Sequence, residues 1–476
     1  MKFVRLTKRS YIRMYENIGY IFNELSHADI VFDECGAIFL SEIGRKPKHI
    51  QAAAMSIASR FADGNLEEVQ NDFCEFVSQL ESSGFVITGQ TISELDEKEP
   101  IFSYSNVTPT NVSLESLDEG YAPSSEVLKK HFWKHPRLFD TQIELTSFCN
   151  LKCIHCYLGE NHPAGGLAKD TVFSILDQLK AMGTLQVSFT GGEICSRPDL
   201  PDILRYAKLN DFSITLLTNN TLLTDSLVEV FKNTGVRLVK ISLYSMKPEI
   251  HDAITGHQGS WKKTVGNIEK LVACNVPIQA SCPVMKQNLD SFAEVIKWGR
   301  IMQFNVKPDL LLTARADFSR ENLNHRLSLD ESKNAIRNII AVDEEYQKRL
   351  SLEYGTNNQR HPDDHICGVG TSTMCICANG DFYPCPAFQL KLGNIYDNTV
   401  KDVWENSLLM GELRNVKYSA FTKCLKCPSS DYCAICMGKF YSESGGDMYM
   451  TNDFYCGVSH LNRELAEDYL AQHGHG

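Results

Sequence analysis

The chain has 476 residues, 43% of them hydrophobic, and a formal net charge of −12. That length and apolar content suit two or three domains with real cores. The acidity excludes a general nucleic-acid binder, which needs basic phosphate contacts. No segment approaches the roughly 20 apolar residues of a membrane span, and no apolar stretch follows the first basic residues, so a cytoplasmic protein without membrane attachment is expected. Seventeen cysteines are many for that compartment, where thiols stay reduced, so clustered cysteines point to metal.

Residues 1–89 read as a small winged-helix-like domain. Strand-like runs at Tyr11–Tyr15, Gly19–Asn23 and Asp29–Phe32 precede helical patterns over Gly36–Glu42, Lys48–Ala62 and Leu66–Ser82. A short apolar run, Phe85–Ile87, closes the domain. It holds 9 Lys and Arg against 12 Asp and Glu, a net −3, which favours a peptide over DNA as its ligand. A free sheet edge beside a helix accepts a peptide as an added strand. Residues 90–137, rich in Ser, Thr, Asp, Glu and Pro, form a linker with one short helix near Ser125–Phe132.

Over residues 138–315 strands and helices alternate. Strand-like runs at Gln142–Thr146, Gln186–Thr190, Ser213–Thr218, Val239–Leu243, Pro277–Ser281 and Asp309–Leu312 make six β/α units. The fold class is therefore α/β, with a partial (β/α)6 barrel of the TIM type, whose chemistry lies at the C-terminal strand ends. Residues 316–366 are a charged helical bridge that includes a helix over Asp330–Arg349. Residues 367–476 form a cysteine-rich domain. There Gly380-Asp381 marks a hairpin between Met374–Cys377 and Phe382–Tyr383, and a last helix covers Val458–Gln472.

Cys149, Cys153 and Cys156, spaced C-x3-C-x2-C, follow the first barrel strand. A structural zinc ion needs a fourth ligand, and His155 lies awkwardly between two of the thiols for closing a tetrahedron. A closed electron-transfer cluster needs a fourth cysteine. A three-cysteine cluster leaves one iron open for a substrate or cofactor. At the end of the second strand, Gly191-Gly192-Glu193 provides two glycines for close backbone approach to a ligand, and a glutamate or backbone able to hold an ammonium. Alone, Gly-Gly-Glu is usually just a turn. Of the other cysteines, Cys35, Cys74, Cys195, Cys274 and Cys282 read as small buried apolar residues. Tyr244, His251 and Cys282 fall near strand ends, where packing explains each as well as function does. No catalytic acid or base is identified.

Cys149, Cys153 and Cys156, with His155 before the last cysteine and Gly191-Gly192-Glu193 one strand later, resemble the radical S-adenosylmethionine superfamily over about residues 140–315. The resemblance implies a [4Fe–4S] cluster on the three cysteines. Its open iron would chelate S-adenosylmethionine, whose reductive cleavage gives a 5′-deoxyadenosyl radical that abstracts a substrate hydrogen. It also implies cofactor contacts from His155, Gly191, Gly192, Glu193, Asn219 in Thr218-Asn219-Asn220, and Ser242. A one-electron reductant such as flavodoxin or ferredoxin is implied as a partner.

Downstream, the pattern Cys367-x12-Gly380-x4-Cys385, then Cys424-x2-Cys427-x5-Cys433-x2-Cys436 and Cys456, is similar to the SPASM domain. The C-x2-C pairs by themselves would also suit zinc ribbons. The resemblance implies two auxiliary iron–sulfur clusters, one on Cys367, Cys385 and Cys436, the other on Cys424, Cys427, Cys433 and Cys456. This chain closes its run with C-x2-C where C-x3-C is usual. It also lacks a cysteine shortly before Cys367. The first auxiliary cluster then either keeps an iron open to a substrate thiolate or takes His361, His365, Cys375 or Cys377. The plain reading of Cys375 and Cys377 is alternation on a hairpin strand, with both packing on one side.

Finally, the strand–helix order of residues 1–89 and the run Asp33–Leu40 resemble the RiPP recognition element, a peptide-chaperone domain that binds the leader of a ribosomally made precursor peptide. A capping domain without a ligand is the plain alternative. The resemblances together imply a peptide maturase that binds a leader with residues 1–89 and installs a cross-link, with a thioether from cysteine sulfur to peptide carbon favoured. A carbon–carbon link, a sulfatase-type side-chain maturase, and a non-enzymatic electron-transfer or peptide-binding module are the alternatives. The precursor, the residues joined and the oligomeric state are not legible.

Overall fold

The computed structural model describes residues 2–61, 65–99, 124–158, 165–353 and 360–473. Strands β1 (Phe3–Leu6), β2 (Ser10–Tyr15), β3 (Ile18–Asn23), β4 (Asp29–Phe32), β5 (Lys48–His49) and β6 (Val86–Gly89) build two small antiparallel sheets, β2-β3-β4 and β5-β1-β6. β1 is absent from the sequence reading, since Arg5 interrupts its four-residue apolar run. Helices α1 (Glu34–Leu40), α2 (Ile50–Ala58) and α3 (Leu66–Ser82) follow the meander. α3 starts where the side chain of Asn65 accepts the Glu67 N–H, and Glu67 and Glu68 complement its positive end. Phe73, Val77 and Leu80 then fall on one buried face.

The β2-β3-β4 sheet has two covered faces. Ile21, Ile30 and Phe32 pack toward α1 and α3, while Tyr20, Phe22 and Val31 pack on Leu128 and Phe132 of the helix Ser124–Lys134 and on Leu185. Its β4 edge is different. Among the described residues no strand pairs with the outer side of β4, and Phe32 there meets Phe76 of α3 edge to face at 5.1 Å. The helix Ile92–Lys98 falls in the segment expected as linker.

Six strands, β7 (Asp140–Thr146), β8 (Gln186–Gly191), β9 (Ser213–Thr218), β10 (Leu238–Ser242), β11 (Ile278–Pro283) and β12 (Asn305–Asp309), pair in parallel in chain order, as the partial barrel requires. The sixth corrects the expectation of Asp309–Leu312. β12 is an edge strand in which Val306 alone is buried, so its apolar signal is weak, and the Leu310–Leu312 run lies just beyond it. Ile143, Leu145, Val187, Phe189, Ile214, Leu216, Val239 and Ile241 pack under the helices in one core. The period of two then turns Glu144, Thr190 and Ser242 to the inside. The interior is thus polar-lined near its top, not filled by branched apolar layers.

β13 (Thr373–Ile376) joins β7 in parallel on its other side, and β14 (Asp381–Tyr383) and β15 (Gly393–Asn394) extend the sheet antiparallel. The cysteine-rich segment therefore continues the barrel sheet. The helix expected over Asp330–Arg349 is two, Leu329–Val342 and Glu344–Glu353, because extended Asp343 accepts the Tyr346 N–H at 3.0 Å and starts a second helix. The last helix, Asp453–His473, begins before the expected Val458. Cys195 and Cys282 are buried as expected, but Cys35 and Cys74 are exposed, on the outer faces of α1 and α3. Among the described residues no helix is long and apolar enough to cross a membrane.

The N-terminal domain docks on the barrel at the starts of its strands, opposite the end that carries Cys149. Arg13 pairs with Asp211 at 3.0 Å, and Tyr15 Oη donates to Gly183 O at 3.3 Å. At the centre, Glu24 is buried, pairs with Arg9, accepts from Ser213 Oγ at 3.1 Å and lies 3.6 Å from Lys208. Burial raises the Glu24 pKa, but Lys208 and Arg9 outweigh it and hold the carboxyl below its ordinary 4.5. A carboxyl held low stabilises the fold above its unfolded pKa and loses that contribution as the pH falls through the folded value. Glu24→Ala leaves buried cations without their anion and should cost about 3–5 kcal/mol, seen as a lower denaturant midpoint at pH 7. The gap to wild type should close as the pH falls below about 4. An unchanged midpoint at pH 7 would remove Glu24 from docking.

Candidate active site

The loop after β7 carries Cys149, Cys153 and Cys156 and is held from two sides. From one side, the Gly192 N–H donates to Thr146 O at 2.8 Å and the Glu193 N–H to Phe148 O at 2.7 Å. Side chains would not allow this. A Cβ on Gly191, whose φ is +132°, would stand 2.1 Å from Thr146 O, and one on Gly192 2.1 Å from Phe148 O. The chain these glycines approach is the cysteine loop itself, which sequence reasoning had left as an unspecified ligand. From the other side, the Lys152 and Ile154 N–H groups donate to Thr255 O and Ile254 O at 2.9 and 3.0 Å.

Glu193 is fully buried. Its carboxylate accepts from Thr218 Oγ1 at 2.6 Å, Cys195 N at 2.8 Å and Asn219 N at 2.7 Å. Burial raises its pKa, and those three donors act the other way by favouring the carboxylate. The side chain therefore ties the end of β8 to the end of β9. Asn219 carries the tie onward: its Nδ2 donates to Asn150 Oδ1 at 3.0 Å and lies 3.8 Å from Cys149 Sγ. Thr221 donates to Asn219 Oδ1 through Oγ1 at 2.7 Å.

His155 stands edge to face on Tyr244 at 4.9 Å, and burial drops its pKa to about 4, so the ring is neutral near pH 7. Tyr244 is buried and bonds the side chains of Ser242 and Cys153. The structure thus joins Ser242 to the cysteine loop through Tyr244, with His251 behind it at 5.2 Å. Tyr157, Glu144 and Asn150 also belong to this end of the barrel and were missed. Single polar residues in apolar runs carry no pattern, although Glu144, as the lone acid within Ile143–Leu145, was a visible irregularity.

The three loop thiols share one electrostatic neighbourhood. Burial, then Cys156 and Cys149, push the Cys153 thiol up to about 12. The downstream cysteines sort into two sets. Cys367, raised to about 11 by burial, senses Cys436, and Cys385 is raised by burial, Cys436 and Cys367, with a further contribution from Cys375. Cys424 is raised by burial, Cys433, Cys456 and Cys427, and Cys456 by burial, Cys433 and Cys427. Burial thus favours the protonated thiols, and a metal would bind them by displacing those protons. Of the two histidines before Cys367, His365 lies tilted against Trp133 at 5.6 Å, and exposed His361 accepts from the Asp363 N–H.

Ligands of one tetrahedral ion must crowd together, because metal–sulfur bonds are only about 2.3 Å long. Among the described residues, one group of Cys, His, Asp and Glu side chains has all its ligand atoms within 4.8 Å: Glu144, Cys375 and Cys377. The other cysteine sets are spaced more widely than this.

Residues 143–299 match the radical SAM superfamily, and residues 367–428 match SPASM, an iron–sulfur cluster-binding domain. The chain is 28% identical over 321 residues to the antilisterial bacteriocin subtilosin biosynthesis protein AlbA of Bacillus subtilis, covering 63% of this chain and 67% of AlbA. It is 26% identical over 333 residues to an AdoMet-dependent heme synthase of Methanosarcina barkeri, covering 66% of this chain and 94% of that protein. The fold superposes on Streptococcus suis SuiB bound to precursor peptide SuiA with a TM-score of 0.61 at 17% identity, over 95% of this chain and 99% of SuiB. The chain thus carries a radical SAM domain and a SPASM iron–sulfur domain, and with them S-adenosylmethionine, a [4Fe–4S] cluster and auxiliary clusters as cofactors.

Proposed function

We propose that this protein is a peptide maturase that closes a cross-link, favoured as a thioether from a cysteine sulfur to a peptide carbon, in a ribosomally made precursor. The observation that carries the peptide reading is the unpaired β4 edge beside Phe32 and Phe76, in a fold that corresponds end to end to an enzyme described with its precursor peptide bound. A leader adding a strand to β4 would gain backbone hydrogen bonds there and side-chain contacts on α3. The name of the AlbA relative, a bacteriocin biosynthesis protein, supports the same class.

In this reading Cys149, Cys153 and Cys156 hold the [4Fe–4S] cluster at the barrel mouth. When bound beside it, S-adenosylmethionine supplies a 5′-deoxyadenosyl radical for hydrogen abstraction. Because the Glu193 carboxylate is engaged within the protein, the ammonium of that ligand falls to the backbone of the Gly191–Glu193 turn. Asn219, Ser242 and His155 line the approach to it. Cys424, Cys427, Cys433 and Cys456 close one auxiliary cluster. Cys367, Cys385 and Cys436 hold the other with three thiolates, and this shortage of one ligand supports a substrate thiolate at the open iron, and hence the thioether. A one-electron reductant such as flavodoxin or ferredoxin completes the set of partners.

Three outcomes follow. With a cysteine-bearing precursor and S-adenosylmethionine, the reduced, reconstituted enzyme should form 5′-deoxyadenosine, and the peptide should lose two hydrogens per link. A cysteine that no longer alkylates marks the thioether, a free cysteine with the same mass loss marks a carbon–carbon link, and an unchanged peptide mass despite 5′-deoxyadenosine formation rejects the maturase. Gly192→Ala, by forcing Phe148 and the Cys149 loop outward, should reduce 5′-deoxyadenosine formation on the order of 100-fold. Phe76→Ala should weaken leader binding about 10-fold by fluorescence anisotropy, while peptide-independent 5′-deoxyadenosine formation stays at the wild-type rate. Undiminished leader affinity would place the peptide elsewhere.

A further inference from the structure

We propose that Glu144, Cys375 and Cys377 form a site for one borderline-soft divalent cation, zinc by its ligand chemistry, in the barrel wall between the radical SAM and SPASM parts. The three side chains are 1%, 0% and 3% exposed, and their ligand atoms lie within 4.8 Å of one another. Their placement follows from backbone pairing. β13 lies parallel to β7 with Cys375 opposite Gln142 and Ile376 opposite Ile143, which brings Cys377 level with Glu144. Residues two apart on a strand share a face, so both thiols and the carboxylate point into the same space.

The thiols are also turned toward one another. Cys375 and Cys377 hydrogen-bond side chain to side chain, and Cys377 bonds Glu144. The turn that follows is held, with the Cys377 N–H donating to Asp381 O and the Gly380 N–H to Cys377 O, both at 2.8 Å. Two thiols and one carboxylate on adjacent paired strands make a compact donor set that would take an ion on losing the thiol protons.

The donor types narrow the ion. Thiolates disfavour magnesium and calcium, which take oxygen ligands, while a mixed sulfur and oxygen set suits zinc. Three protein ligands leave a fourth position, as in zinc sites that bind water or an exchangeable ligand. Tyr157, the residue after Cys156, reaches this space with Oη 3.5 Å from Glu144 Oε1, which puts a hydroxyl beside that position. The ion would clamp β13 to β7 at the level where the two cysteine-rich parts meet. The site adjoins the first auxiliary set, since Cys385 senses Cys375.

The test uses the full-length protein, fully reconstituted with iron and sulfide under anaerobic conditions, then given zinc chloride alone and desalted. Elemental analysis should find about one zinc per chain beyond the iron. Zinc K-edge absorption should show two sulfur neighbours near 2.3 Å and oxygen neighbours near 2.0 Å. Cys375→Ser/Cys377→Ser and, separately, Glu144→Gln should each lower zinc retention at least tenfold with the iron content unchanged. Wild-type protein that retains no zinc, zinc bound by sulfur alone, or a cysteine variant that loses iron instead of zinc would each overturn the site. The absorption spectrum of wild-type protein keeps the test decisive even where a variant fails to fold.

Discussion

Parallel pairing of β7 with β8 on one side and β13 on the other sets the geometry of both cysteine-rich regions. The loop leaving β7 carries Cys149, Cys153 and Cys156, and the end of β8 grips that loop through Gly192 and Glu193. β13 leads into the hairpin that ends near Cys385. Because hydrogen-bonded strands lie under 5 Å apart with fixed register, the cysteine groups on either side are placed relative to one strand and not to a flexible linker.

The upper end of the barrel is rigid for a related reason. A buried carboxylate is costly unless it is fully hydrogen-bonded, and Glu193 meets that demand with donors from Thr218, Cys195 and Asn219. Satisfying the charge therefore locks two strand ends together and, through Asn219 and Asn150, the cysteine loop as well. The lower end solves the same problem with Glu24, Arg9 and Lys208, and there the charge holds a second domain. The proposed leader edge and the cysteine loop thus lie at opposite ends of the barrel, and in that reading a bound precursor would have to run along the barrel to reach its mouth.

Much of this was legible because local rules suffice for it. Alternating strands and helices imply a parallel sheet whatever the long-range packing, and five barrel strands fall within two residues of their apolar runs. The cysteine spacings are local as well. β12 was misplaced because an edge strand buries little, and β1 was missed because Arg5 interrupts its short apolar run. The helix break at Asp343 was missed because its capping contact competes with an otherwise continuous helical pattern.

The amino-acid sequence by itself determined the α/β class, the C-x3-C-x2-C loop, the two glycines before Glu193 and the acidic N-terminal domain, since each depends on spacing, composition or conformational freedom within a few residues. Only the tertiary structure decided that Gly191 and Gly192 approach the cysteine loop, that Tyr244 joins Ser242 to Cys153, and that Glu144 meets Cys375 and Cys377 across more than 200 residues of chain. Those contacts depend on strand register. A register shift of one residue turns every side chain to the other face, and nothing in the local sequence of β7 or β13 reveals which residue of the other strand it will face.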